Sequence, residues 1–248
     1  MIKLIFITLS IFTFGSTSFG HKITPSGRCG KVVDHKFYSF CYSKKHKLSV
    51  WTAHTLTVEY AHGEAERTND FREDPHVSSP VGPLDYLGSG FDRGHLVPAA
   101  DMKLSIESMS STFYMTNITP QNPGFNRGIW RALESKIRYW IHDHGIAHVI
   151  TAPLLPNQPD KLQSGVSIPS HYYKVIYFPE SEMMSAFLIP NKYIPEEVKI
   201  NEFSVSVDEI ESLTNFDFFS SLPDDLEEKL ESEVSTIAKE DAETKQLN

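Results

Sequence analysis

Residues 126–144 read NRGIWRALESKIRYWIHDH, with Ile129, Trp130, Leu133, Ile137 and Trp140 recurring at three- and four-residue spacing. That period makes an amphipathic helix, which has to bury one face against another layer. Gly145 stands where a helix C-cap falls. The chain beyond it is of another kind. AHVITAPLL, HYYKVIYF and MMSAFLIP are β-branched and aromatic runs separated by turn residues, the pattern of strands. Upstream, FYSFCYSKKHKLSVWTAHTLTVEY predicts a hairpin, with strands near Phe37–Tyr42 and Leu48–Tyr60 around the basic turn SKKHK. Residues 61–92 are rich in Gly, Pro, Asp and Ser and predict mostly loop. A short helix is expected around Ser105–Ser111, and STFYMTNITPQ predicts a strand stopping at Pro120. Ser206 with Glu209 three residues later is a capping-box pattern. No internal repeat or low-complexity linker interrupts the chain, so one α+β domain is expected.

Composition sets the outer bounds. A chain of 248 residues that is 40% hydrophobic and 22% charged is globular, which excludes a wholly disordered, collagen-like or polytopic membrane protein. The net charge of -9 argues against a polyanion partner until its distribution is seen. Residues 196–248 hold 16 Asp+Glu and 4 Lys+Arg, whereas residues 21–195 hold 18 Lys+Arg against 16 Asp+Glu. The acidity therefore belongs to the C-terminal part, and the body is slightly basic. Residues 235–248 read as an acidic, flexible tail.

At the other end, Lys3 precedes an apolar run from Leu4 to Phe14, and Ser18 and Gly20 occupy the -3 and -1 positions of a cleavage site. This predicts a signal peptide over residues 1–20, a domain over 21–234, and a secreted or periplasmic protein without a membrane anchor in its mature form. In an oxidising compartment Cys29 and Cys41, an even pair enclosing a short loop, are expected to form a disulfide.

Two clusters carry chemistry. In FDRGHLVPAADM, Asp92, Arg93, Gly94 and His95 combine an acid, a fixed cation, a conformationally free residue and an imidazole. Histidine is the side chain best suited to take a proton near neutral pH, and arginine offers a planar fork for phosphate oxygens. In TNITPQNPGFNRGIWRALE, helical geometry at 100° per residue brings Asn126 and Glu134 toward one side. An amide oxygen with a carboxylate suits Mg²⁺ that keeps most of its waters. Taken alone, Asn126 reads first as a helix N-cap and Glu134 as a solvated helix residue.

Together these blocks resemble the DNA/RNA non-specific endonuclease family of the ββα-metal superfamily. The matching pieces are RTNDFREDP, GSGFDRGHLVPAADM, STFYMTNITPQ, NPGFNRGIWRALE and VSVDEIESLTNFDFFSSLPDDLEEKLE, in order, from Tyr38 to Glu231. The resemblance implies an α+β fold with a central antiparallel sheet flanked by helices. It implies His95 as general base, Arg93 beside the scissile phosphate, Asn126 as direct ligand of one metal ion, and Glu134 holding metal-bound water. Asn117, Gln121 and Asp92 match supporting positions, and Arg67 a second phosphate-facing arginine. The implied cofactor is Mg²⁺ with Mn²⁺ as substitute, the substrates are DNA and RNA, and the products carry 5′-phosphates. A homodimer and a protein inhibitor are compatible with it. Leu104 and the TAPLLP stretch depart from the family pattern without touching these residues.

Two other classes of function remain open at this stage. His142, His144 and His148 could make a zinc hydrolase, although Gly145 breaks the helical spacing such a site uses. A secreted nucleic-acid-binding module that had lost catalysis would lack one of His95, Asn126 and Glu134. All three are present.

Overall fold

The computed structural model describes residues 23–78, 80–235 and 237; the expected signal peptide and most of the 235–248 tail lie outside them. Seven strands form one antiparallel sheet: β1 (Lys31–Asp34), β2 (Tyr38–Ser43), β3 (Leu48–Leu56), β6 (Ala147–Leu154), β7 (His171–Phe178), β8 (Met183–Pro190) and β9 (Ser204–Val205), in that spatial order. β4 (Asp92–His95) and β5 (Ile118–Gln121) form a separate two-stranded ribbon. The helices are α1 (Val58–His62), α2 (Ile106–Ser111), the single turn α3 (Pro123–Phe125), α4 (Arg131–His144), α5 (Val207–Thr214) and α6 (Asp224–Ser232).

The side-chain alternation of the strands sorts the core onto two faces. Val149, Ile176 and Phe187 pack with Leu133, Ile137 and Trp140 of α4. Their neighbours in sequence, Ile150, Val175 and Ala186, point the other way and pack with Val207 and Ile210 of α5 and with Phe218. Because both faces are covered, β6 and β7 are buried almost end to end. Each fully buried Ile, Leu or Phe contributes roughly 1.5–3 kcal/mol of transfer free energy, so the helix over 131–144 and the three strands that follow it carry much of the stability.

Local sequence explains the ends of the elements, including three that differ from expectation. β3 stops at Leu56 and not at Tyr60, because the Thr57 hydroxyl accepts from the Tyr60 backbone N–H at 3.4 Å and caps α1. A threonine's side-chain oxygen competes in this way with strand pairing. β5 covers only Ile118–Gln121, since Met115–Asn117 turn as a 3₁₀ helix, and it runs through Pro120 to Gln121. Proline is tolerated there because the ribbon has free outer edges. The regular helix begins at Arg131 and not at Asn126. Elsewhere the signals hold: Ser105 caps α2, Ser206 caps α5 by accepting from Glu209 N at 3.2 Å, and Gly145 ends α4 with φ 74°. Cys29 and Cys41 are joined as a disulfide, Cα atoms 5.8 Å apart, tying the segment before β1 to β2.

Candidate active site

The ribbon pairs Asp92 with Gln121, Arg93 with Pro120, Gly94 with Thr119 and His95 with Ile118. It lies beside the start of α4, so two strands and a helix meet at the DRGH segment. Gly94 serves here by its lack of a side chain. Its φ is not left-handed, but an added Cβ would lie 2.1 Å from Gln121 Cδ. Gln121 is fully buried and its Nε2 donates to the His95 carbonyl at 3.2 Å, so it has little room to yield. Gly94→Ala is expected to lower stability by about 1–3 kcal/mol through overpacking and to displace His95. A urea midpoint unchanged from wild type would contradict this.

Asn117 pins the chain just after His95. Its Oδ1 accepts from Val97 N, and its Nδ2 donates to the Val97 and Thr112 carbonyls, each at 2.9 Å. Asn117 and Gln121 are both fully buried. They hold the backbone that carries the imidazole.

The His95 ring packs against two phenylalanines, at 5.0 Å from Phe113 and 5.7 Å from Phe71 between centroids. Arginines cover the same two rings. Arg93 Cζ is 4.1 Å from the Phe71 centroid, and Arg67 Cζ is 4.8 Å from that of Phe113. A guanidinium stacked on an aromatic face is held in plane with its donor edge free. His95 Nε2 is buried with no hydrogen-bond partner among the described residues, an uncommon state for a ring nitrogen. Burial, then the charges of Arg67 and Arg93, push its pKa down to about 3. The imidazole is therefore neutral at physiological pH.

Asn126 does not cap a helix. Asn122 does so instead, its Oδ1 accepting from Gly124 N at 2.9 Å. Asn126–Trp130 wind as a wider, π-type turn broken at Gly128 (φ -98°, ψ -115°), so the uniform 100° step does not describe the path from Asn126 to Glu134. Such turns recur at functional sites. Asn126 Nδ2 donates to Asp92 Oδ2 at 2.9 Å, which leaves Oδ1 as its available end. Arg127 grips the same carboxylate with Nε at 2.8 Å and Nη2 at 2.6 Å. Asp92 is thus fully engaged in orienting Asn126. Burial alone would raise its carboxyl, but these hydrogen bonds hold it below its usual range.

Glu134, half-buried on α4, is in electrostatic reach of a buried polar layer between α4 and the sheet. Lys174 occupies the α4-facing slot of β7 between Tyr172 and Ile176, is 1% exposed, donates to Thr151 Oγ1 at 2.7 Å and lies 4.8 Å from the centre of a Trp130 ring. Asp101 accepts from His54 Nε2 at 3.2 Å and from Arg138 Nη1 at 2.7 Å. Burial pushes Glu134 up to about 7; Lys174, Arg138 and Arg67 oppose the rise, and Asp101 adds to it.

The residues expected from sequence thus fall into one neighbourhood. Sequence reasoning missed Phe71, Phe113, Arg127 and Lys174. For Lys174 the signal was present: a single cation inside the apolar strand HYYKVIYF has to find buried partners. His142 and His144 at the end of α4 and His148 in β6 do not converge. His142 meets His62 at 2.9 Å, His144 meets Ser181 at 3.1 Å, and His148 meets Thr55 at 3.0 Å. An open cleft of about 470 Å³ is lined by Phe71, Phe91, Arg93, Asn126 and Arg127. A cleft of about 630 Å³ on the far side of Arg127 includes Arg131 and Lys199 but none of the expected site residues.

Comparison with known proteins identifies the family. The model of the DNA/RNA non-specific endonuclease family matches residues 15–225. Nuclease C1 of Cunninghamella echinulata var. echinulata is 32% identical, the match covering 79% of this chain and 85% of that protein. The mitochondrial Nuclease 1 of Schizosaccharomyces pombe is 32% identical over 91% of this chain and 77% of that one. A crystal structure of the EndoG/EndoGI complex, concerned with EndoG inhibition, superposes with a TM-score of 0.72 at 28% identity, over 77% of this chain and 86% of that one.

These relatives correct one expectation. Relatives in fission yeast, mouse, budding yeast and human are named as mitochondrial, which overturns the secreted or periplasmic assignment. A leader is an address read by a receptor, and a short apolar run behind a single lysine was too little to specify it. No helix among the described residues is long and apolar enough to cross a membrane. By its family match and by relatives of at least 30% identity, this chain belongs to the DNA/RNA non-specific endonuclease family, whose nucleases depend on a divalent metal.

Proposed function

We propose that the protein is a Mg²⁺-dependent endonuclease that hydrolyses phosphodiester bonds of both DNA and RNA, within a single domain over residues 21–234, and leaves 5′-phosphate ends. The observation that carries this is the buried, unpartnered Nε2 of His95 between two ring-stacked arginines. His95 takes a proton from water at that nitrogen. Arg93 and Arg67 present cationic edges to the phosphate under attack, and the substrate's own negative charge offsets the depression they impose on the imidazole. Phosphate contacts of this kind place the strand without reading its sequence.

The donor set fits the ion. Asn126 offers a neutral oxygen, Asp92 is used up in orienting it, and Glu134 stands ready to accept from water around the site. When bound there, Mg²⁺ (or Mn²⁺ in its place) would neutralise charge building up on the phosphate, and a neutral protein ligand leaves its charge undiminished for that purpose. A positioned general base supplies about 10²–10⁴-fold, against ~10⁶–10¹⁷-fold for enzymes overall. Charge stabilisation must account for most of the rest. The EndoG/EndoGI complex supports a protein inhibitor as a further partner of this chain.

Asn126→Ala tests the ligand assignment. It is expected to raise the Mg²⁺ concentration for half-maximal cleavage by more than about 100-fold, and Asp92→Ala by about 10–100-fold. An unchanged Mg²⁺ requirement in Asn126→Ala would remove Asn126 from this role.

The two titrating groups predict the pH profile. His95, at about 3, is already deprotonated across the usual range. Glu134, at about 7, is not, so kcat/KM falls as pH drops through 7 at low Mg²⁺. A protonated Glu134 cannot accept from the ion's water, so protonation and metal binding oppose each other and more Mg²⁺ moves this acid limb to lower pH. A limb that stays fixed at all Mg²⁺ concentrations contradicts the role given to Glu134.

A further inference from the structure

The acidic C-terminal part has no place in the nuclease chemistry, yet its carboxylates are not spread evenly over the surface. We propose that α5 and α6 hold a calcium ion between Asp208, Glu211 and Glu231, and that this ion fastens α6 to the body of the protein. This rests on no part of the catalytic reading.

Asp208 and Glu211 lie in the first two turns of α5, and Glu231 in the last turn of α6. One carboxylate oxygen from each lies within 4.8 Å of the others. Three like charges this close repel unless something positive or a proton lies among them. Among the described residues no lysine or arginine forms an ion pair with any of the three. Asp217 and Glu227 add further negative potential at Glu231.

Glu231 is the independent observation. It is 6% exposed, and its Oε1 is buried with no hydrogen-bond partner among the described residues. Glu231 is also the only fully buried residue of α6, whereas Leu226 and Leu230 are half-buried. A helix whose deepest contact is an unpaired carboxylate docks poorly unless that charge is met. Glu211 is already oriented, Oε1 accepting from Phe218 N at 2.7 Å. Burial and the repulsion of neighbouring carboxylates push the carboxyls of Glu211 and Glu231 up, the latter to about 8.

The chemistry selects the ion. All the donors are carboxylate oxygens, which excludes a preference for soft metals. Asp208 is exposed, so water can complete the six to eight oxygens that Ca²⁺ takes in flexible geometry, whereas Mg²⁺ demands a strict octahedron.

The test is a CaCl₂ titration of the full chain after removal of metals by chelation, followed by thermal melting and by counting bound Ca²⁺. Asn126→Ala is run alongside to exclude the catalytic centre. A saturable rise in Tm of roughly 5 °C is expected, with one Ca²⁺ bound, and Asn126→Ala should keep it. Glu231→Gln removes a buried charge, so in the absence of metal it should melt at or above wild type and should show no rise. Asp208→Asn, at an exposed position that leaves the core intact, should need at least about 10-fold more Ca²⁺. No rise in wild type at about 10 mM Ca²⁺, beyond the weakest sites of this kind, would overturn the proposal. So would an equal rise in Glu231→Gln, or an unchanged Ca²⁺ midpoint in Asp208→Asn.

Discussion

His95→Ala lowers kcat for cleavage of either nucleic acid by about 10²–10⁴-fold, the contribution of a positioned general base, while the affinity for substrate stays within a few-fold of wild type. The split follows from the layout. The imidazole has no hydrogen-bond partner at Nε2 among the described residues, so its loss leaves no partner of that nitrogen unpaired. Arg93 and Arg67 stay stacked on Phe71 and Phe113 and keep their grip on phosphate. The variant should also keep the Mg²⁺ dependence of whatever activity remains, since Asn126 is fixed by Asp92 and not by His95. A loss of binding equal to the loss of turnover would mean that His95 positions substrate and is not the base.

Lys174→Met should cost about 3–5 kcal/mol of stability, the usual result of removing one partner from a buried charged set. Methionine fills most of the same volume, so the cost reports the charges and not a cavity. Thr151 loses its hydrogen bond from Nζ, and Glu134 and Asp101 lose the cation buried with them. The sign at Glu134 is fixed. A nearby positive charge lowers a carboxyl, so its removal raises Glu134 above 7, and the acid limb of cleavage moves to higher pH. Denaturant unfolding and a pH profile check the two halves separately. A variant within 1 kcal/mol of wild type, with its acid limb unmoved, would show that Lys174 is a bystander; that threshold is about the size of one ordinary hydrogen bond.

The helix and strands over 131–190 were legible because their periods are strong and their ends are marked by cap and turn residues such as Gly145. The candidate site residues stand in motif blocks, and the fold brings Arg67 within electrostatic reach of both His95 and Glu134 and sets Arg93 and Asn126 on one cleft. How they get there was less legible. Helical geometry alone would carry Asn126 into a regular helix, but the break at Gly128 changes the path, and the cap belongs to Asn122. Gly94 reads as a conformational glycine, yet what it provides is space for Gln121, a partner two segments away. The aromatic wall of Phe71 and Phe113 joins a loop to the turn before β5. Nothing local distinguishes those two rings from core phenylalanines. The length of β3 failed for a smaller reason, because one hydroxyl at Thr57 outweighs the β-branched run around it.

The central claim is tested most directly by digesting supercoiled plasmid and total RNA with purified protein, with Mg²⁺ and with EDTA, beside His95→Ala. The account predicts cleavage of both substrates, abolished by chelation, restored by added Mg²⁺ and reduced by at least about 100-fold in the variant. Full activity in His95→Ala, or cleavage that persists in EDTA, would contradict it.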